Sequence, residues 1–274
     1  MPNNKVNILL TNDDGIDSPG LWAAAEALSA LGYVTIAAPR DQCSGMGRST
    51  PTHSDGIIKP IPLTINGQEW TVYSVGGSPA QCIQHALLEI MSAPPALIVS
   101  GINYGENLGT GITISGTIGA ALEGAEHGIP ALAVSLQLVD DNFLHKSDQV
   151  DFSAAGYFTY YFAKKLLMKQ MPADVHAIKV DIPYDATPET PWKIARLGQQ
   201  RYFVGHSLAP TEWERPYRLR FNVEVDPHDV AEGSDIQVMR FDRQVAVTPL
   251  SLDLTSRVDL PDFEQFLRNH DEVE

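Results

Sequence analysis

The pattern of apolar and polar residues at the start of the chain predicts a strand, a helix and a second strand. Val6–Thr11 is a short apolar segment without helical spacing, which is typical of a buried parallel strand. Ser18 and Pro19 then provide a helix N-cap and a first-turn proline, and the apolar residues that follow recur on one helical face until Gly32. Residues 33–38 repeat the strand pattern. This segment therefore predicts a βαβ unit with a right-handed crossover.

Further strand and helix patterns alternate along the next part of the chain. Strands are predicted at residues 57–65, 70–75, 96–100, 130–136 and 177–182, and helices at residues 78–91, 117–127 and 152–168. The glycines between the strand at 96–100 and the next helix predict a long flexible loop, and an acidic stretch beyond residue 140 is interpreted as an insertion. This alternation indicates an α/β fold with a Rossmann-like, doubly wound and mostly parallel sheet.

The pattern changes after residue 183. Prolines, aromatic residues and alternating segments such as 217–225 and 245–248 predict antiparallel strands and hairpins. A length of 274 residues is close to the size at which one hydrophobic core stops growing. We therefore expect a Rossmann-like catalytic core at residues 1–184 and a smaller β-rich C-terminal extension at residues 185–274.

Composition and charge restrict the classes of function. The 19 basic and 34 acidic residues give a net charge of -15, so the protein repels polyanions and we expect no binding to duplex nucleic acid. The two cysteines have neither zinc-site nor redox-pair spacing, and we expect reduced thiols in the cytoplasm. We expect no signal peptide and no membrane span, since no apolar run reaches about 18 residues.

Two adjacent carboxylates follow the first predicted strand, in the sequence Asn12, Asp13, Asp14 and Gly15. The two aspartates repel each other, and a shared cation explains best why they stand together at a strand end. Oxygen ligands favour Mg²⁺ or Mn²⁺ over zinc. The alternative is a turn in which one aspartate caps the following helix, because Asn, Asp and Gly are also common turn residues.

Two later segments are expected at the same edge of the sheet. In residues 43–50, backbone N–H groups near Gly45 can approach an anion and Arg48 can pair with phosphate, although the G-K-[ST] ending of a Walker A loop is absent. After the strand at 96–100, Asn103 offers a neutral amide oxygen to a metal ion. A predicted helix start, where free N–H groups and the helix dipole attract phosphate, contains Ser115, Gly116 and Thr117.

Together these segments resemble a known family. The residues that carry the resemblance are ILLTNDDG at 8–15 with Pro19-Gly20, the Ser44-Gly45 pair, and VSGIN-x-G-x-NLG at 99–109 followed by Ser115-Gly116-Thr117. As a set they are similar to the SurE family of stationary-phase survival proteins. The resemblance implies a metal-dependent acid phosphatase that acts as a 5′- or 3′-nucleotidase on nucleoside monophosphates, with activity on short polyphosphate in some members.

The resemblance also implies roles for individual residues. One Mg²⁺ or Mn²⁺ per subunit is expected to bind Asp13, Asp14, Ser44 and Asn103, of which Ser44 follows from the resemblance alone. The predicted phosphate and substrate contacts are Asn12, Gly45, Arg48, Ser115, Gly116 and Thr117. Family members resemble dimers or tetramers whose C-terminal hairpins and tails cross between subunits, so we expect a homodimer or homotetramer. Gln81 and residues 109–114 depart from the family pattern, in which an aspartate and a more acidic and aromatic stretch are usual.

The main hypothesis is hydrolysis of a phosphate monoester by a water molecule that the cation activates, with Asp13 or Asp14 orienting that water. One alternative is a nucleotide or phosphate sensor without turnover. Another is a phosphatase similar to the haloacid dehalogenases, whose first aspartate becomes phosphorylated, but that mechanism needs D-x-D spacing and these aspartates are adjacent. The preferred base, the 5′ or 3′ position of the ester and the metal stay open.

Overall fold

The N-terminal segment folds as the predicted βαβ unit. A computed structural model of the chain describes residues 6–65, 68–138, 150–207 and 219–268. Strands β1 (Val6–Thr11) and β2 (Gly32–Pro39) are parallel neighbours, and helix α1 (Pro19–Ser29) connects them. Leu21 and Leu28 of α1 are buried in the same core as the side chains of β1, which is the packing that their helical spacing predicts.

Nine of the described strands form one sheet. The strands after β2 are β3 (Ile58–Ile65), β4 (Gln68–Val75), β5 (Leu97–Tyr104), β6 (Ala131–Leu136), β7 (Ala177–Ile182), β8 (Trp192–Ile194), β9 (Phe203–His206), β10 (Arg220–Val223) and β11 (Val245–Leu250). The order in the sheet is β3-β4-β2-β1-β5-β6-β7-β11-β8. All neighbours are parallel except β3 with β4 and β11 with β7. The predicted doubly wound, mostly parallel sheet is therefore confirmed.

The strand order reverses at β1, and this reversal determines where a ligand can bind. The chain passes from β1 to β2 on one side and later places β5 on the other side. In open parallel sheets, ligands bind in the crevice beyond the C-terminal strand ends at such a reversal. The turn after β1 and the segment after β5 both leave the sheet at this crevice.

Helices cover both faces of the sheet. Helix α1 lies with α4 (Ser153–Met168) on one face, and α2 (Pro79–His85) lies with α3 (Gly116–Glu126) on the other. Leu9 belongs to the core beneath α2 and α3, whereas Leu10 belongs to the core beneath α1 and α4, as expected from the alternation of side chains along a strand. Among the described residues, no helix has the length and apolar character needed to cross a membrane.

Strand β5 is longer than the sequence predicts. It continues through Tyr104, so residues 101–104 belong to the sheet and not to the flexible loop that the glycines predict. Asn103 is in register with Ser135 of β6, after an irregularity in the pairing.

At the start of α1, the predicted N-cap residue Ser18 makes no capping hydrogen bond through its hydroxyl. The N–H of Leu21 donates to the backbone carbonyl of Ser18 instead.

Other boundaries shift by a few residues. The helix predicted at 78–91 is α-helical only to His85, and a π-helical turn follows at Ala86–Ile90. The described part of the strand predicted at 217–225 is β10, and residues 217 and 218 lie outside the described ranges. Most of the acidic stretch beyond residue 140 falls in residues 139–149, which also lie outside them.

The C-terminal part contributes strands to both sheets. β11 pairs antiparallel with β7, with Val247 opposite Val180, and β8 lies beyond β11 at the edge. β9 and β10 form a separate antiparallel pair. Because strands from both sides of residue 184 share one sheet, the division into domains at that residue stays a prediction.

A buried ionic cluster joins the C-terminal part to the segment after β5. The Lys179 ammonium contacts the carboxylate of Asp181, the carboxylate of Asp235 at 3.0 Å and the carbonyl of Asn107 at 2.8 Å. The Asp235 carboxylate also accepts the N–H of Gly109 at 3.2 Å. Burial lowers the pKa of Lys179, but the two carboxylates outweigh this effect and raise that pKa above its ordinary value. The cluster therefore ties the segment after β5 to β7 through ionised groups.

Replacing Lys179 should destabilise the protein strongly. Lys179→Met leaves two buried carboxylates without their counter-ion, and we expect a loss of about 3–5 kcal/mol in the free energy of unfolding. Urea unfolding followed by circular dichroism measures this loss. Lys164→Met, at an exposed position of α4, is the control and should stay within about 0.5 kcal/mol of the wild type. Equal losses in both variants would contradict the role of the cluster.

Candidate active site

The turn after β1 buries two carboxylates at the reversal of the sheet. Asp13 is 4% exposed and Asp14 is 2% exposed. Asn12 Nδ2 donates a hydrogen bond to the carbonyl of Gly15 at 3.0 Å, which closes the turn. Gly15 has a φ of +94°, a conformation that favours glycine. Asn12 Oδ1 is buried and has no hydrogen-bond partner among the described residues.

Asp14 connects the turn to two other segments. Its Oδ2 accepts the backbone N–H of Tyr104 at 2.9 Å, which joins the turn to β5. Gln42 Nε2 lies 3.4 Å from Asp14 Oδ1 and 3.1 Å from Ser44 Oγ, so the Gln42 amide joins this carboxylate to the loop after β2. Sequence reasoning missed both contacts, because Gln42 belongs to no motif and the Tyr104 contact uses the backbone.

A threonine hydroxyl joins the Asp13 carboxylate to the predicted amide ligand. Thr117 Oγ1 lies 2.6 Å from Asp13 Oδ1 and 3.1 Å from Asn103 Oδ1. A hydroxyl has one proton to donate, and the shorter distance assigns it to Asp13. Asn103 Nδ2 donates to the carbonyl of Gly105 at 2.6 Å, which turns the amide oxygen toward Thr117. The structure therefore brings together Asp13, Asn103 and the start of α3.

Gly116 permits the close approach of α3 to Asp13. A Cβ atom at residue 116 would lie 2.7 Å from the Cβ of Asp13 and 2.8 Å from its Oδ2, which is inside van der Waals contact. The Ser115 hydroxyl accepts the N–H of Ile118 at 3.2 Å and so caps the helix. The positive end of the α3 dipole consequently lies beside the Asp13 carboxylate.

Burial and, to a smaller extent, repulsion from the adjacent Asp14 raise the pKa of Asp13 to about 7. Hydrogen bonds from the side chain and the backbone of Thr117 act in the opposite direction. Two carboxylates in one buried turn are costly to ionise together unless a positive charge lies near them. The site therefore favours binding of a cation.

The oxygen atoms around the turn fit a hard divalent cation. In the part of the chain that the structure describes, no three His, Cys, Asp or Glu side chains form a group that could hold a metal ion. The candidate ligands are instead two carboxylates, the Ser44 hydroxyl and the Asn103 amide oxygen, which suit Mg²⁺ and Mn²⁺. The raised pKa of Asp13 and the unpartnered buried oxygen of Asn12 are both consistent with a positive charge at this place.

The two predicted phosphate contacts in the loop after β2 have different surroundings. Arg48 Nε donates to Glu123 Oε2 at 2.7 Å, and the guanidinium also pairs with Glu126. Contact between Arg48 and phosphate would require the guanidinium to leave these carboxylates, and it stays a prediction. Gly45 is exposed with a φ of +77°, so its backbone is accessible to a ligand. Apart from its two chain neighbours, no described residue has an atom within 4 Å of where its Cβ would be.

Known proteins are similar to this chain over nearly its whole length. A family model described as "Survival protein SurE" matches residues 8–204. The 5′-nucleotidase SurE of Thermococcus gammatolerans is 39% identical and the alignment covers 96% of each chain, and that of Archaeoglobus fulgidus is 39% identical over 93% of this chain and 94% of its own. The crystal structure of the SurE protein from Aquifex aeolicus has a TM-score of 0.74 at 29% identity, covering 95% of this chain and 99% of that chain. This chain therefore belongs to the survival protein SurE family.

Proposed function

We propose that this protein is a metal-dependent 5′-nucleotidase that hydrolyses nucleoside monophosphates to nucleoside and phosphate. Its relatives named 5′-nucleotidase SurE support this activity. The observation that carries the proposal is the Thr117 hydroxyl between Asp13 and Asn103, at 2.6 and 3.1 Å. This hydroxyl brings a carboxylate, an amide oxygen and a helix N-terminus to one point, which suits a cation and a phosphate group together.

Four oxygen ligands would hold one Mg²⁺ or Mn²⁺ per subunit, namely Asp13, Asp14, Ser44 and Asn103. When bound, such a cation polarises a phosphoryl oxygen and lowers the pKa of a water molecule to a value near neutrality. The net charge of -15 makes the need for a cation stronger, because such a chain repels an anionic substrate in the absence of a counter-ion.

The groups around the cation would bind and orient the reactants. Asp13 or Asp14 accepts a hydrogen bond from the attacking water and orients it toward phosphorus. The exposed backbone of the loop after β2 and the N-terminus of α3 bind the other phosphoryl oxygens, where negative charge increases in the transition state. The residues proposed for these contacts are Gly45, Ser115, Gly116 and Thr117, and Asn12 in the turn after β1 is proposed as a further substrate contact.

The comparisons do not favour the two alternative hypotheses. The relatives at 37–39% identity are named as nucleotidases, which argues against a sensor without turnover. The haloacid dehalogenase mechanism also suits this turn poorly, because Asp13 and Asp14 are adjacent and the Asp13 carboxylate is held by Thr117.

We also propose that helix α5 (Leu260–Arg268) contributes to a homodimer or homotetramer. This helix is amphipathic and has no buried residue, and its large apolar side chains Leu260, Phe263, Phe266 and Leu267 are all exposed. A cluster of exposed apolar side chains marks a protein interaction site more often than a solvated surface.

Cys43 and Cys82 form no disulfide, which supports a cytoplasmic location.

Phosphate release should depend on a divalent cation. With Mn²⁺ or Mg²⁺, the protein should release phosphate from AMP and GMP, and EDTA should abolish the release. Asp14→Asn should lower kcat/KM by at least about 100-fold, because it removes one anionic ligand. Asp151→Asn, at an exposed position before α4, is the control and should keep wild-type activity. Turnover that persists in EDTA would contradict the mechanism.

Replacing Asp13 should stabilise the metal-free protein at high pH. The pKa of Asp13 is raised from 3.8 to about 7 in the folded state, so stability from this group is fully present below about pH 4 and is lost as the pH rises to 7. Asp13→Asn removes this loss, and we expect it to gain on the order of 1–3 kcal/mol over the metal-free wild type at pH 8.

Thermal unfolding in EDTA at pH 5 and pH 8 measures the effect of Asp13→Asn. At pH 8 the unfolding midpoint of the wild type should be lower than that of Asp13→Asn. Addition of Mn²⁺ in excess of EDTA should raise the midpoint of the wild type but not that of the variant. If both proteins have the same pH dependence, the buried charge of Asp13 is not the origin of the effect.

Removing the apolar face of α5 should dissociate the oligomer. We expect Phe263→Ser/Leu267→Ser to sediment as a smaller species than the wild type in analytical ultracentrifugation, because the contact loses its apolar area. Arg268→Ser, on the same helix but in an exposed ion pair with Glu264, should sediment as the wild type does. Unchanged sedimentation of the double variant would exclude α5 from the contact.

A further inference from the structure

The loop after β2 and helix α3 are in direct backbone contact. The N–H of Gly47 donates to the carbonyl of Ile114 at 2.9 Å, immediately before the capping residue of α3. A Cβ atom at residue 119 would lie 2.2 Å from the carbonyl oxygen of Gly47, so the helix approaches this closely because residue 119 is glycine. The loop that contains Ser44 is therefore packed on the helix whose N-terminus lies at the candidate active site.

Charged side chains join the same two elements. Besides the 2.7 Å hydrogen bond from Arg48 Nε to Glu123 Oε2, the Arg48 guanidinium pairs with Glu126 on the next turn of α3. Glu123 is 5% exposed, and its second oxygen accepts Gln84 Nε2 of α2 at 2.8 Å. A buried carboxylate needs both hydrogen bonds and a counter-charge, and Arg48 provides a counter-charge beside it.

We propose that Arg48 is a positioning residue, which holds Ser44 and Gly45 against the start of α3 through its ion pairs with Glu123 and Glu126. The inference rests on the proposed function, because Ser44 and Gly45 are the residues of this loop that would bind the cation and the phosphate. A guanidinium held by two carboxylates acts on those ligands through the loop backbone and not by touching the substrate.

A direct phosphate contact by Arg48 would have the opposite dependence on the glutamates. If Arg48 binds phosphate, removing the carboxylates frees the guanidinium, and substrate binding is kept or improved. If Arg48 positions the loop, the arginine and the glutamates act as one unit, so that removing either side has the same effect and removing both adds little.

A double-mutant cycle separates the two roles. It compares the wild type with Arg48→Met, with Glu123→Gln/Glu126→Gln, and with the combined variant. We expect each side alone to lower kcat/KM for AMP by about tenfold, and the combined variant to lose no more than about twofold beyond that. Inorganic phosphate should inhibit all three variants more weakly than the wild type, with the same increase in its inhibition constant. Calorimetry with Mn²⁺ alone should likewise show the same loss of affinity in all three variants.

Arg243→Met is the matched control. The Arg243 side chain is 32% exposed, compared with 33% for Arg48, and it pairs with Asp185 after β7. This control should change kcat/KM and Mn²⁺ affinity by less than about twofold. Circular dichroism of each variant checks that it is folded, and Glu123→Gln keeps the size of the buried side chain.

Three results would overturn the positioning role. In the first, Glu123→Gln/Glu126→Gln keeps the kcat/KM and the Mn²⁺ affinity of the wild type while Arg48→Met loses them. In the second, the losses of the two sides multiply in the combined variant. In the third, all three variants have wild-type values. Failure of the proposed function has a different signature, which is no phosphate release from any nucleotide by the wild type. In that case the Mn²⁺ affinities of the same variants still test whether Arg48 positions Ser44.

Discussion

The buried pair of carboxylates at the end of β1 is the constraint on which the rest of the site depends. Asp13 and Asp14 repel each other inside the protein, and the surrounding groups reduce the cost of that repulsion only in part. Thr117 donates to Asp13, while Gln42 and the backbone of Tyr104 donate to Asp14. The remaining excess of negative charge is the reason why we propose a divalent cation at this turn.

The sequence predicts the elements of this fold better than their connections. Strand β1 and helices α1, α3 and α4 are predicted by the local spacing of apolar residues, because that pattern can be recognised within each segment alone. The last residues of β5 do not, because Gly101 has no side chain to report burial and their pairing depends on β6. The position of β11 beside β7 could not be predicted either, because the apolar pattern of a strand does not indicate which strand it will pair with.

The same difference between local and distant information holds at the site. Asp13, Asp14, Asn103 and Thr117 stand at strand ends or a helix start, so their positions alone suggested their chemistry. Ser44 was identified only through the family resemblance, and Gln42 carries no signal. The partners of Arg48 could not be predicted either, because Glu123 is 75 positions away along the chain and its charge looks like that of any solvated helix face.

The buried cluster of Lys179, Asp181 and Asp235 joins the segment after β5 to the C-terminal part of the chain through Asn107 and Gly109. Anomalous diffraction from a crystal soaked in Mn²⁺ is the most direct test of the shared cation site. We predict one strong peak per subunit within coordination distance of oxygen atoms of Asp13, Asp14, Ser44 and Asn103. A crystal without a peak at this turn, or with manganese bound only elsewhere, would contradict it.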